Sequence, residues 1–183
     1  MPVLLRTTIE IPPNVQVRVD GNQVEVSGEK GTLKRTFQFP DVKIRNENGK
    51  IVIEAESERR KTKAAVGTVR AHLRNMFRGV TEGFTYKLRA VYSHFPIRVE
   101  VKEDKVYIHN LLGEKYPRIA KIVGETKVEV NGDEIIVSGI NKDDVGQTAI
   151  NIEQATAVRH RDRIFSIASS AFAIFVFWTS LYM

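Results

Sequence analysis

A hairpin pattern that occurs twice at one offset constrains this chain more than any other feature. Val17-x-Val19, four residues and Val24-x-Val26 are matched by Val99-x-Val101, four residues and Val106-x-Ile108, with every position displaced by 82. Both stretches alternate apolar and polar residues around a polar turn, Asp20-Gly21-Asn22 in one and Lys102-Glu103-Asp104 in the other, as a half-buried antiparallel hairpin does. Gly28-Glu29-Lys30 follows the first hairpin and precedes Leu33-Lys34-Arg35; Gly113-Glu114-Lys115 follows the second and precedes Pro117-Arg118. Asn48-Gly49 then leads into Ile51-Val52-Ile53, and Asn131-Gly132 into Ile135-Ile136-Val137, two instances of the strongest short hairpin signal.

Each half closes on a helical pattern. Val66, Val69, Leu73, Met76 and Phe77 recur at spacings of three and four, and Gly79 stands where a left-handed C-terminal stop is wanted. Val145, Ala149, Ile152 and Ala155 do the same in the second half, with Asn141 and Asp143 available as N-terminal caps. Four features recurring in one order predict an internal duplication. The expected fold is α+β: two similar small domains, each a short antiparallel sheet with one helix packed on it. The 183 residues suffice for two such domains, placed at 1–84 and 85–165, with 166–183 left as an atypical apolar C-terminal tail.

Several function classes are disfavoured by what the chain lacks. It has no Cys, so disulfides, thiolate metal sites and cysteine nucleophiles are excluded together, and no Asn-X-Ser/Thr sequon occurs. There is no Gly-rich phosphate loop, HExxH, Gly-x-Ser-x-Gly or Walker lysine. His72, His94, His109 and His160 are scattered and form no ligand spacing. Asp143-Asp144 suits the start of a helix better than acid-base work. The expectation is therefore no enzyme, no cofactor and no metal. Met1 to Glu10 resembles neither a secretory signal nor a transit peptide, which favours the cytoplasm.

The charge is more informative. Lys and Arg number 28 against 22 Asp and Glu, a net charge of +6 that suits a polyanionic partner. Arg70, Arg74 and Arg78 recur every four residues on the side of the first helix away from Val66, Val69, Leu73 and Phe77, and Arg59, Arg60, Lys61 and Lys63 crowd its approach. The stripe is too uniform in sign for internal salt bridging; it is either a solvated face or a surface for an anion. The second helix instead turns Gln147, Asn151, Glu153 and Gln154 outward. In the second half the basic residues fall in loops and ends, Lys115, Arg118 and Lys121 after the hairpin and Arg159, Arg161 and Arg163 after the helix. Tyr92, His94, Phe95 and Tyr116 lie nearby in sequence, a composition that grips phosphates and stacks on bases, although Phe95 suits a core. No consensus for sequence-specific single-strand readout is present, so recognition by shape and backbone is expected.

Longer strings carry a resemblance. Asn75-Met76-Phe77-Arg78-Gly79-Val80-Thr81-Glu82-Gly83-Phe84-Thr85-Tyr86-Lys87-Leu88, Val91-Tyr92-Ser93-His94-Phe95-Pro96, Asn110-Leu111-Leu112-Gly113-Glu114-Lys115, Val145-Gly146-Gln147-Thr148-Ala149 and Asn151-Ile152-Glu153-Gln154-Ala155-Thr156 resemble the large-subunit ribosomal protein six family in its archaeal and eukaryotic form, the second and third strings being archaeal in type. The resemblance spans roughly Leu5 to Phe165. It implies two similar α+β domains, no enzymatic activity, and binding to large-subunit (23S-type) rRNA near the sarcin-ricin loop and the base of the factor-binding stalk, mainly through the second domain. The rRNA-binding residues it implies are His72, Asn75, Tyr92, His94, Lys115, Arg118, Arg159, Arg161 and Arg163; the charge pattern adds Arg70, Arg74, Arg78 and Lys121 as secondary candidates. The implied partners are rRNA, neighbouring large-subunit proteins and nearby translation factors, in a cytoplasmic large ribosomal subunit with no membrane involved. Toward its end the chain departs from the family pattern: Gln154, Arg161, Asp162, Arg163, Ile164 and Phe165 fit, and an apolar tail replaces the family's Asp-Gly-aromatic ending.

That tail supports a rival reading. From Ile164 to Met183 there are 20 residues without charge, directly after Arg159, Arg161 and Arg163, long enough for a membrane-spanning helix with positive flanks. The alternative is thus a basic binding protein tethered to a membrane by its C-terminus. Ser166, Ser169, Ser170, Thr179 and Ser180 dilute the segment, which favours a tail packed on the second domain.

Overall fold

The computed structural model describes residues 5–47, 49–57, 59–90, 96–157 and 175–177. Two units divide the chain, Met1–Gly83 and Phe84–Met183. The first runs β1 (Leu5–Glu10), β2 (Gln16–Asp20), β3 (Gln23–Gly28), β4 (Gly31–Thr36), β5 (Val42–Glu47), β6 (Lys50–Ala55) and α1 (Arg60–Thr81). The second runs β7 (Phe84–Arg89), β8 (Arg98–Lys102), β9 (Lys105–His109), a single 3-10 turn (Leu111–Gly113), β10 (Arg118–Lys121), β11 (Lys127–Asn131), β12 (Glu134–Gly139), α2 (Lys142–Ala155) and β13 (Phe175–Phe177).

The expected duplication holds strand by strand. In the first unit β2-β3-β4 form one antiparallel sheet and β1-β6-β5 another; in the second, β8-β9-β10 form one and β11-β12-β7 the other, with β13 added at the free edge of β7. The order of pairing is the same in both, so β7 to β12 repeat β1 to β6. The valine alternation produces its hairpins: Val17 faces Val26 and Val19 faces Val24, just as Val99 faces Ile108 and Val101 faces Val106. Gly21, Gly49 and Gly132 take the positive φ that their tight turns require, at 59°, 76° and 60°. Each unit splits its strands between two small sheets because the second to fourth strands close as a local meander, while the first strand pairs with the distant sixth.

One helix covers the apolar residues of each unit. Val24, Val26, Ile51 and Ile53 are buried under Val66, Val69, Leu73, Phe77 and Val80 of α1. Leu88, Val106, Ile108, Ile135 and Val137 are buried with Val145, Ala149 and Ile152 of α2. Each such side chain contributes about 1.5–3 kcal/mol on leaving water. The helix end differs from expectation. Gly79 is buried inside α1, which continues one turn further because Val80 belongs to the core; the left-handed stop is Gly83, at φ 78°, whose N–H reaches the Arg78 carbonyl at 3.1 Å. The start of α2 is as expected, with Asn141 as cap accepting from the Asp143 N–H at 3.2 Å and both aspartates in the first turn.

Both units cap the C-terminal end of their helix from the region where the third strand passes into the fourth, by Lys30 in the turn between them in the first unit and by Arg118 at the start of β10 in the second. In the first, the Lys30 N–H donates to Val80 O at 3.0 Å and the Lys30 ammonium donates to Glu82 O. In the second, one Arg118 nitrogen donates to Ala155 O at 3.1 Å and to Ala157 O at 2.9 Å. Carbonyls that a helix leaves without partners are thereby satisfied, and a cation meets the negative end of the dipole.

β13 pairs antiparallel with β7, with Phe175 opposite Arg89 and Phe177 opposite Lys87. The rest of the tail lies outside the described residues. Among the described residues no helix is long and apolar enough to cross a membrane.

The close approach of the first meander to α1 gives a direct test. A Cβ on Gly28 would lie 2.7 Å from Val80 Cγ2 and 2.8 Å from Val80 O, and the backbone carbonyl cannot rotate away. Gly28→Ala is expected to destabilise the protein by about 1–3 kcal/mol in chemical denaturation, as overpacking does, and a stability within error of the parent would show that the strand and helix do not touch there.

Candidate nucleic-acid interface

The first cluster of expected residues rides on α1. The spacing that buries Val66, Val69, Leu73 and Phe77 sends Arg70, Arg74 and Arg78 to the surface, and all three are exposed. Arg78 corrects the expectation of a stripe without internal pairing: its Nε donates to Glu82 at 2.8 Å, since a carboxylate four residues on lies within reach. Arg70 and Arg74 make no side-chain hydrogen bond or ion pair among the described residues. His72 and Asn75 are half-buried. The His72 Nε2 lies 3.3 Å from Arg35 Nη2 and its ring centroid 6.3 Å from that of Phe37, so this histidine leans on β4 and the strand end beside it.

The second cluster lies between β9 and β10, over residues 110–117. Asn110 enters with a left-handed backbone, φ 58°, and its amide donates to Pro96 O at 3.1 Å. Leu111 then plugs the core at 2% exposure. Arg118 fastens the other end. Its Nε and Nη2 grip both oxygens of Glu114 at 2.8 and 2.6 Å, while Nη1 holds the two carbonyls at the end of α2. A guanidinium, with five donors in a planar fork, is the side chain suited to bridging a carboxylate and two carbonyls. The hydrogen bonds from Arg118, and then its charge, hold the Glu114 carboxyl below the usual 4.5. Glu114 binds its proton less readily when folded, so the pair stabilises the loop above the ordinary value and is lost as pH falls through the depressed one. At neutral pH the clamp is closed.

The outcome for the expected site is a division of labour within one loop. Arg118 is occupied by the protein itself, whereas Lys115 and Tyr116 between the two anchors are exposed, Tyr116 at 82%. Lys115 makes no ion pair among the described residues. Its counterpart Lys30 is consumed in capping α1; in the second unit Arg118 has taken that task and left the lysine to solvent.

Lys121, at the far end of β10, is exposed and sits opposite Lys105, which in turn sits opposite Lys102. Sequence reasoning named only Lys121 of this row. The other two were recoverable from the repeat, because the same positions of the first meander are Asp20 and Gln23. Lys102 is partly neutralised by Glu100 at 3.0 Å. Tyr92, His94, Arg159, Arg161 and Arg163 lie outside the described residues. Of the remainder, His72, Asn75 and the arginine stripe belong to the first unit, and Lys115, Arg118 and Lys121 to the second.

Both clusters display positive charge on rigid elements and neither assembles a nucleophile with a base. Among the described residues, no group of three or more His, Asp or Glu could hold a metal ion. The comparisons with known proteins agree with a shared ancestry over most of the chain. Residues 11–83 and 95–164 match the family model described as Ribosomal protein L6, one segment in each unit. The large ribosomal subunit protein uL6 of Methanosarcina mazei is 54% identical over 159 residues, covering 86% of this chain and 90% of the relative. That of Methanococcus vannielii is 53% identical over 168 residues, covering 90% and 92%, and that of Methanocella arvoryzae 50% over 159 residues, covering 86% and 90%. With both repeats matched and half of all positions shared with these archaeal relatives, the chain belongs to the ribosomal protein L6 family.

Proposed function

We propose that this protein is a structural constituent of the large ribosomal subunit, in the cytoplasm, and that it performs no catalytic step. The observation that carries the reading is the identity of about half of all residues, across nearly the full length, to proteins named as large-subunit components. Its partners are then large-subunit rRNA and neighbouring ribosomal proteins. The finer proposal is that the second unit makes the principal rRNA contact, near the sarcin-ricin loop and the base of the factor-binding stalk, close to where translation factors act.

The chemistry of the loop between β9 and β10 supports that placement. Lys115 is a point charge held out on a short loop whose ends are fixed by a buried leucine and by Arg118. Such a group contacts a phosphate without ordering the loop at the moment of binding, which lowers the entropic cost. Tyr116 beside it offers a flat apolar surface to a base or sugar. Arg118 is better placed as the residue that positions this loop than as a contact. Against the membrane-tethered alternative stands the short strand Phe175–Phe177 on β7, since a spanning anchor needs an uninterrupted helix through that region.

Two predictions follow from this chemistry. Binding of the full chain to an rRNA fragment containing the sarcin-ricin loop should weaken steeply with added salt, because phosphate contacts release counterions; a flat dependence would remove the electrostatic basis of the proposal. Replacing Lys115 and Lys121 by Ala together should weaken that binding and lower the slope of log affinity against log salt by about 2, with thermal stability unchanged.

Arg118→Ala tests the positioning role separately. It should increase hydrogen exchange over residues 110–117 and weaken binding, and Arg118→Lys should restore neither fully, since one ammonium cannot serve Glu114 and two carbonyls at once. If Arg118→Lys binds like the parent, Arg118 acts by charge alone.

A further inference from the structure

The two helices of the duplicated fold obey opposite rules, and the difference falls entirely on the exposed face. α2 begins with an Asn cap, carries Asp143 and Asp144 in its first turn and has no basic residue in its last. α1 has no side-chain cap and no acid in its first turn. From Arg59 to Gly83 there are seven basic residues and one acid, Glu82. Projected on a helix, Arg60, Lys63, Arg70, Arg74 and Arg78 fall within one strip along a flank of the face that buries Val66, Val69, Leu73 and Val80, and all five are exposed. Only Arg78 has a carboxylate partner, Glu82, among the described residues. Arg60, Lys63, Arg70 and Arg74 make no side-chain hydrogen bond or ion pair there.

Gly67, Ala71 and Ala64 line the outward edge of the strip, on the side of the helix farthest from the core. All three are exposed, and the space a Cβ on Gly67 would enter is empty. The exposed face is therefore a smooth track with a row of cations along one side, about 27 Å from Arg60 to Arg78 at the helical rise. Like charges four residues apart repel, and cations at a helix N-terminus oppose the dipole. Apart from Glu82 beside Arg78, nothing among the described residues offsets that repulsion, whereas in the sister helix Asp143 and Asp144 follow Lys142 directly.

We infer that the exposed face of α1 is a second, independent RNA-binding surface, which takes the phosphate backbone of an RNA helix by shape and charge without reading its bases. A row of cations along a rigid rod matches a run of phosphates better than it matches a folded acidic protein, whose carboxylates are not regularly arrayed. The small residues allow the backbone to lie close to the helix. This rests on the RNA-binding reading given above and extends it to the first unit.

The test uses the full chain with Arg70→Ala and Arg74→Ala combined, an RNA duplex of unrelated sequence as probe, and polyglutamate as competitor. Affinity for the duplex should fall on the order of tenfold at low salt and the salt slope by about 2, while the thermal midpoint of the free protein stays the same or rises. A purely structural role would lower the midpoint instead. Unchanged affinity and slope in the double variant would overturn the inference, and so would polyglutamate displacing the duplex at equal charge, which would make an acidic protein the occupant. The parent and the Lys115/Lys121 variant, run on the sarcin-ricin fragment in parallel, separate the two readings. A parent that binds neither RNA overturns both; binding to the fragment that depends on Lys115 and Lys121 but not on the α1 arginines overturns this one alone.

Discussion

Everything in each unit depends on one apolar helix face closing over two sheets too small to stand by themselves. A three-stranded sheet with one exposed side has little to bury alone. Val66, Val69, Leu73, Phe77 and Val80 in the first unit, and Val145, Ala149 and Ile152 in the second, bring a meander and a distant strand pair under a common roof. That arrangement places the C-terminal end of the helix beside the connection between the third and fourth strands. The unsatisfied carbonyls there need donors, and both copies supply a cation, Lys30 from the connection in one and Arg118 from the first position of the following strand in the other. The same contact that closes the core thus decides which basic residues are used up inside the protein and which are left for a partner.

The copies differ where the helix does not reach. Asp20, Gln23 and Thr36 of the first meander occupy the positions of Lys102, Lys105 and Lys121 in the second, opposite one another across the three strands. The tight turn at Gly28–Gly31 becomes the longer loop that carries Lys115. On the helices the charge runs the other way, basic on α1 and polar on α2. Positive charge is thus mounted on a rod in one unit and on a loop and a strand end in the other. A rod spreads its charges over a length of phosphate backbone; a clamped loop delivers a single charge and an aromatic ring to one place.

Much of this was legible in the chain. Valine alternation at a fixed offset is a backbone-level signal, because one face of each hairpin must be buried, and it returned the pairing of Val17 with Val26 and Val99 with Ile108. The Asn141 cap was legible for the same local reason. The end of α1 was not: Gly79 and Gly83 are equivalent as letters, and only the need for Val80 in the core selects the later one. The role of Arg118 was hidden as well, since the carbonyls of Ala155 and Ala157 are far along the chain and become neighbours only in the fold. The lysine row at Lys102 and Lys105 was hidden more thinly, as strand register exposes it once the repeat is aligned.

The balance between core and surface explains why charge is the informative variable in a duplicated fold of this kind. Truncating a buried residue such as Leu73 or Ile152 costs about 2–5 kcal/mol, so both copies are held to the same apolar pattern whatever they bind. An exposed substitution usually costs within about 0.5 kcal/mol, so the surfaces are free to separate. Free variation, however, does not by itself align five cations along a helix that gains nothing from four of them, with alanine and glycine beside them. α1 departs from local helix preferences in cap, dipole and like-charge spacing together, while its buried face obeys every packing rule. A sequence that is consistent inside and inconsistent outside is expressing a constraint from beyond the chain, and for a basic strip whose one internal counter-charge is Glu82 among the described residues that constraint has the sign of phosphate.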